Sequence, residues 1–570
     1  MICLRISDAE KVTGLTAKAI RLYEEKGLIS VERQENSYRD YNDETILRLK
    51  QIKLFRDLGI GINEIILCFN GVVSKEELIE KRKAELESES LENKEKYEQC
   101  INLLDEICLN DTIDNRVIVI DESNTVLGID IGTTTISAVV INIDKNCVIE
   151  SYTIANNSRV KTDGDLAQYD TEWILEKAKR VVDYLIKAYP STKSIGVTGQ
   201  MHGVLYVDKD GNSVSNLYNW QDGRGNRIAE SGKTYCEEIK EKTGYNVFTG
   251  YGFSTLYYNE QNGLAPRDAY SFCTIMDYVA MKLSGVKLPV IHPTDAASFG
   301  LYDIKNNCFD KKAIEKLGLS YLTLPLLALN DENTGSLNGV PVGSAIGDNQ
   351  ASFFGSVKNN DNTMLLNFGT GSQISVVIDS LKEVDKSLEI RPYMFGKYLL
   401  CGSALCGGRA YSILENFFHS YAESIIKNVP SQYEVMNNLA LSAYEKKEKL
   451  DVCTKFCGMR SQPDIRGSIT GIGENNFTPH NLVLGVLDGM ASELKEYYLL
   501  MNVDTVESVV ASGNAVQKNK VLVNLLRDNF KMDVALTGNS EEASIGAALF
   551  TALKNEIINE KQVSEIIVYK

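Results

Sequence analysis

The chain has 570 residues, of which 44% are hydrophobic and 24% charged, and its formal net charge is -17. That length exceeds a single core and predicts about three or four units of about 100–200 residues, while the acidity excludes a protein that coats nucleic acid or anionic membrane over its whole surface. The 12 cysteines form no CxxC pair, no apolar run reaches the roughly 18 residues that span a bilayer, and no secretion leader is visible; reduced thiols and a soluble, cytoplasmic protein with no membrane association are expected. Residues 1–60 depart from the overall balance, with 11 Lys/Arg against 10 Asp/Glu, so the rest of the chain carries -18.

The first elements lie in "DAEKVTGLTAKAIRLYEEKGL", residues 8–28. A short helix is expected from Asp8, a turn at Thr13-Gly14-Leu15, and a second helix capped by Thr16 and ended by Gly27. Ala9, Val12, Leu15, Ala19, Ile20 and Tyr23 form the expected apolar seam, with Lys18 and Arg21 pointing outward, as in a helix-turn-helix. Residues 31–41, "VERQENSYRDY", read as a two-stranded wing with Glu35-Asn36-Ser37 at its tip and with Arg33 and Arg39 in reach of phosphates.

This stretch resembles the MerR family of transcription regulators through Arg21-Leu22-Tyr23, Gly27-Leu28-Ile29, Ser37-Tyr38-Arg39-Asp40-Tyr41 and Leu49 to Gly59, over about residues 4–70. Leu22 replaces one of the family's paired aromatics, and Ser37 stands where the wing has glycine. The resemblance implies a head over 1–72 that binds double-stranded DNA through Lys18, Arg21, Tyr23, Arg33, Tyr38 and Arg39. Ser74 to Cys108 is helical in composition, with Ile79, Leu86, Tyr97, Ile101 and Leu104 near one stripe; the resemblance implies an antiparallel helix that pairs two copies, within a dimerisation and linker segment at 73–115. Cys100 and Cys108 have no neighbouring Cys or His to complete a shell, so no metal is expected there. The polar stretch at 105–125 reads as a linker, whose short apolar run Val117–Ile120 is a candidate extra strand.

A hairpin pattern follows at "VLGIDIGTTTISAVVINI", residues 126–143, and its order of apolar strand, Gly-Thr turn and apolar strand recurs in "MLLNFGTGSQISVVID", residues 364–379. The two read as an internal duplication whose turns face one cleft. Glycine lets backbone approach a phosphate, and consecutive N–H groups and hydroxyls donate to its oxygens. Gly132, Thr133, Thr134 and Thr135 in the first turn, and Gly369, Thr370 and Gly371 in the second, are therefore ATP-binding candidates. A carboxylate at Asp130 suits a magnesium ion held through water. Gly407 and Gly408 enter a helix and can approach phosphate; Gly513 and Asn514, where a strand ends and a helix starts, resemble the adenosine motif of the actin/hexokinase superfamily, which implies backbone placed against base and ribose.

Between the hairpins, "GVTGQMHGVLYVD" presents Gln200, Met201 and His202 in a glycine-bounded turn, and "YNWQDGRG" sets the Trp220 indole beside Asp222 and a guanidinium. A flat apolar ring with fixed polar groups suits a polyol. In "AIGDNQASFFG", Asp348 follows a strand and opens a helix, where its carboxylate can take the proton of an attacking sugar hydroxyl.

Together these segments, over about residues 124–555, are similar to the FGGY family of carbohydrate kinases, within the actin/hexokinase superfamily, and "GQMHG" matches its ketose-kinase branch. The resemblance implies a multidomain chain: an all-α winged helix-turn-helix head with a helical linker, then an α/β actin/hexokinase-like (ribonuclease H-like) kinase with domains at 124–358 and 359–560. It implies an enzyme that passes the γ-phosphate of ATP to a hydroxyl of a sedoheptulose- or xylulose-like ketose, with Mg2+ as cofactor. Asp348 is then the general base and, with Asp130, a magnesium carboxylate; Gln200, Met201, His202, Trp220, Asp222 and Asn349 form the sugar wall. The competing expectation is a transcription regulator that keeps the kinase fold only as a sugar or sugar-phosphate sensor; the presence of Asp130, Asp348 and both Gly-Thr turns favours the enzyme.

Overall fold

The structure, a computed structural model, describes residues 6–33, 39–88, 120, 122–427, 429–459, 462 and 464–570. The chain divides into two units, one holding residues 1–122 with 151–155 and 179–191, the other the remainder. Among the described residues no helix is long and apolar enough to cross a membrane.

In the first unit, α1 (Ile6–Thr13) and α2 (Ala17–Glu25) are joined through Gly14 at φ +69. The Thr16 hydroxyl caps α2 by accepting from the Ala19 N–H at 3.2 Å, and Gly27 follows the helix at φ +73. A two-stranded wing, β1 (Glu32–Arg33) and β2 (Arg39–Asp40), pairs antiparallel, and α3 (Asp43–Asp57), α4 (Ile62–Phe69) and α5 (Lys75–Ser88) follow. Ala9, Ile20, Tyr23, Leu28, Tyr41, Leu49 and Ile52 are buried. The seam differs from expectation at one position: Val12 is 47% exposed, and Thr13 is buried instead. Its hydroxyl donates to the Ala9 carbonyl at 2.7 Å, which lets a polar residue occupy the packed face. The wing tip with Tyr38, most of the 73–115 helix, Cys100, Cys108 and Val117 lie outside the described residues.

The second unit repeats one topology in two halves. In the first half, β3 (Thr125–Ile131) lies between antiparallel β4 (Thr135–Asn142) and the parallel strand Thr192–Gly199. In the second, strand Thr363–Phe368 lies between antiparallel Ser372–Ile378 and parallel Ser508–Ser512. Each hairpin therefore occupies the same place in its own sheet. The duplication is one of fold as well as of sequence.

The helix Glu542–Lys554 packs on the sheet of the first half and across the helix Asp348–Ser356. Glycines make this approach possible. A Cβ on Gly128 or Gly196 would stand 1.9 Å from the Ser544 or Ala547 carbonyl oxygen, and one on Gly546 would stand 1.8 Å from the Ala351 carbonyl oxygen. A core of Val139, Phe353, Leu399 and Leu549 draws on both halves and joins them.

Candidate active site

Strand register brings the two expected carboxylates to one place. Asp130 on β3 is level with Thr198, and Thr198 is level with Ile346, whose carbonyl accepts its hydroxyl at 2.7 Å. Asp348 follows two residues later, at the first position of its helix. Both side chains thus emerge at the carboxyl ends of parallel strands, where open α/β sheets bind ligands.

Burial pushes the Asp130 carboxyl up to about 8, with the Asp348 and Glu541 carboxylates adding repulsion. Its Oδ1 is buried and accepts no hydrogen bond. A hard-oxygen acceptor left without a donor, in a locally negative field, fits a divalent cation such as Mg2+. Among the described residues no group of three His, Cys, Asp or Glu side chains is placed to hold a metal ion. Asp348 is pushed up to about 6 by burial, against the Asn349 N–H and the Arg391 charge, which hold it down. At that value it is ionised at neutral pH and still basic enough to take a proton.

The glycine turns of the second half converge. The Gly408 N–H donates to the Gly369 carbonyl at 2.9 Å and the Arg409 N–H to the Thr370 carbonyl at 3.0 Å. A Cβ on Gly407 would stand 2.3 Å from the Gly371 carbonyl carbon, and one on Gly513, at φ +97, 2.4 Å from the Phe368 carbonyl oxygen. Gly513 and Asn514 share a cavity of about 660 Å³ with Asp130, Glu541 and Lys570. The glycine turn at Gly513–Asn514 and the orphaned Asp130 carboxyl thus border one space.

The opposite wall is tied to the first Gly-Thr turn. The Trp220 Nε1–H donates to the Thr133 hydroxyl at 3.0 Å, and that hydroxyl donates to Gln200 Oε1 at 3.4 Å, which also accepts from the Asn219 amide. Trp220 is 46% exposed, so its ring presents a face to a ligand. Met201 is buried against Gly347 and lies 3.7 Å from the Asn349 amide. His202, at φ +71, stacks on Tyr251 with ring centroids 4.3 Å apart, and the Ser298 carbonyl at 2.9 Å fixes its proton on Nδ1. Gly132, Thr133 and Thr135 are half-buried and Thr134 exposed at the mouth of the first turn.

Two expectations are corrected. Asp222, expected in the sugar wall, has no exposed surface: it accepts from Arg224 Nε at 2.6 Å and from the Ala167 N–H at 3.0 Å. A carboxylate so fully paired braces the Trp220 loop. In the head, Tyr23, expected on DNA, is 5% exposed and belongs to the core. Lys18 and Arg21 are exposed on α2, and Arg39 pairs with Glu24 at 2.7 Å on the wing side; the Arg33 side chain lies outside the described residues. Glu541, Tyr251 and Arg391 join the site without any motif to announce them.

Two hairpins of one topology, a glycine cradle and a buried carboxylate opening a helix define a sugar kinase of the two-lobed nucleotide-binding fold. The models for the FGGY family of carbohydrate kinases match residues 125–355 (N-terminal domain) and 365–554 (C-terminal domain), and that for the MerR HTH family regulatory proteins matches residues 4–71. The chain belongs to the FGGY family of carbohydrate kinases and carries a MerR-type helix-turn-helix domain in front. It is 25% identical to the sedoheptulokinase of Mus musculus over 74% of this chain and 96% of that protein. In fold it is similar to the xylulose kinase of Rhodospirillum rubrum, with a TM-score of 0.68 and 20% identity over 78% of this chain and 93% of that one. It is also similar to the glycerol kinase of Plasmodium falciparum solved with ADP, with a TM-score of 0.66, 20% identity and the same coverage of both chains.

Proposed function

We propose that the kinase transfers the γ-phosphate of ATP to a hydroxyl of a sedoheptulose- or xylulose-like ketose, and that its head binds double-stranded DNA as a pair with a second copy. The observation that carries the first part is the placement of Asp130 and Asp348 at the ends of two strands that flank Thr192–Gly199, one orphaned and one basic. Asp348 takes the proton of the attacking hydroxyl. Asp130, with Asp348 nearby, would hold Mg2+, which supplies charge neutralisation to the phosphates when bound. The turns at Gly132–Thr135 and Gly369–Gly371 donate N–H and hydroxyl groups to the phosphate oxygens, Gly407 and Gly408 let the backbone come close to them, and Gly513–Asn514 leave room for the nucleoside. Trp220, Met201, His202 and Asn349 orient the sugar. The likeness to a glycerol kinase solved with ADP, and to kinases named for sedoheptulose and xylulose, supports this reading.

The test is ADP release from the full chain with Mg-ATP and a panel of ketoses, beside Asp348→Asn. A ketose must stimulate the parent, and the variant must lose at least about a hundredfold in kcat. A parent that binds ketose without turnover would make the chain a sugar sensor. For the head, DNA footprinting at several salt concentrations, with and without the ketose, and light scattering for the paired state are the matching measurements.

A further inference from the structure

A cavity of about 1230 Å³ is bordered by Met201, His202, Tyr251 and Ser298 from the first half of the kinase and by Glu389 and Arg391 from the second. Arg391 lies on the strand Leu388–Pro392, its side chain 12% exposed. Its Nε and Nη2 both donate to one oxygen of Glu389, at 3.0 and 2.6 Å. Its Nη1 is buried and donates to nothing.

A guanidinium presents five N–H donors in a rigid fork, and leaving a buried charged donor unmade is costly. Glu389 occupies one edge of the fork and fixes its orientation, so the other edge is held ready. The surrounding charge selects the ligand class. Glu389 already balances the guanidinium, and the Asp348 carboxylate lies within its electrostatic reach. An acid would meet two carboxylates for one cation; a neutral hydroxyl meets no such repulsion.

We propose that Arg391 is a sugar-binding residue supplied by the second half, its Nη1 donating to a hydroxyl of an uncharged polyhydroxy ketose whose acceptor hydroxyl is deprotonated by Asp348. The inference rests on the kinase reading above and deepens it by naming a specificity contact. Because the partner of Asp348 in gripping the sugar comes from the opposite half, sugar binding also draws the two halves onto one ligand.

The test is calorimetric binding of a ketose and its monodeoxy analogues to the full chain without nucleotide, on the parent, Arg391→Lys and Arg391→Met. The parent is expected to lose about tenfold or more in affinity when one particular hydroxyl is missing. Arg391→Lys, which keeps the charge beside Glu389 and the fold, is expected to bind the complete ketose about tenfold more weakly and to be indifferent to that same hydroxyl. A purely structural arginine would weaken all analogues alike and leave the hydroxyl penalty intact, and that result overturns the proposal. So does a parent that binds every monodeoxy ketose as tightly as the complete sugar, whatever the variants do. ADP release separates the two readings: turnover with an unchanged hydroxyl penalty sinks Arg391 alone, whereas ketose binding with the expected penalty but no turnover sinks the kinase and keeps Arg391.

Discussion

The Trp220 indole N–H donates to the Thr133 hydroxyl at 3.0 Å, so the Trp220 loop and the first Gly-Thr turn share a hydrogen bond. Under the proposed function, anything that seats the indole against a sugar also orients a hydroxyl beside the phosphates. Trp220→Phe keeps a ring and removes the donor. It is expected to lower kcat/KM about fivefold, the worth of about 1 kcal/mol, with KM rising for both sugar and ATP; a change confined to the sugar would show the bond to be incidental. Steady-state kinetics with each substrate varied reads this directly.

Asp348 sets the pH dependence. Its carboxyl sits at about 6, above the ordinary carboxylate range, and only the ionised form accepts a proton. The kcat/KM for the ketose is therefore expected to be flat above pH 7 and to fall about tenfold per pH unit well below 6. In Asp348→Asn this limb disappears along with at least about two orders of magnitude of kcat, while the sugar KM stays within a few-fold.

Asp130 trades stability for chemistry. Without a cation its carboxylate is buried near Asp348 and Glu541 with an unmade acceptor. Asp130→Asn removes the cost of burying that ionisable group and is expected to raise the melting temperature of the metal-free chain by about 1 °C, the equivalent of about 1 kcal/mol in a protein of this size. The same variant should lose most of its kcat and most of the thermal shift that Mg2+ gives the parent. Thermal melts with and without Mg2+ check both halves of the statement.

Helix crossing at Gly546 leaves no room for a methyl group, since its Cβ would stand 1.8 Å from the Ala351 carbonyl oxygen. Gly546→Ala is expected to cost about 1–3 kcal/mol, seen as a lower denaturation midpoint. Because Ala351 lies on the helix that Asp348 opens, activity should fall at temperatures where the fold still holds.

Lys18 and Arg21, exposed on α2, are expected to contact DNA. Lys18→Ala should weaken binding evenly across sequences and reduce the salt slope by about 1, as the loss of one phosphate contact does. Tyr23→Phe, altering a core position, should leave DNA affinity within about twofold where the head remains folded. Filter binding over a salt series distinguishes them.

The parts legible in the sequence are those whose chemistry is local. A Gly-Thr turn between apolar runs specifies a hairpin and a phosphate-sized approach in one stretch, and Asp348 announces itself by opening a helix after a strand. Thr16 and Gly27 mark the ends of α2 in the same local way. The parts that escape depend on long-range pairing. Asp222 reads as an exposed carboxylate until Ala167, fifty-five residues earlier, supplies an N–H to it. Arg391 and Tyr251 sit in segments with no glycine-bounded motif, and only the apposition of the halves brings them to one cavity. Tyr23 reads both as seam and as DNA contact; burial decides for the seam.

The helix Glu542–Lys554 covers the face of the sheet that contains β3, although more than four hundred residues of chain separate them. During synthesis the amino-terminal head has all of its described helices long before that helix leaves the ribosome, and domains fold in the order in which they emerge. A nascent chain therefore acquires the means to read DNA well before it can become a kinase.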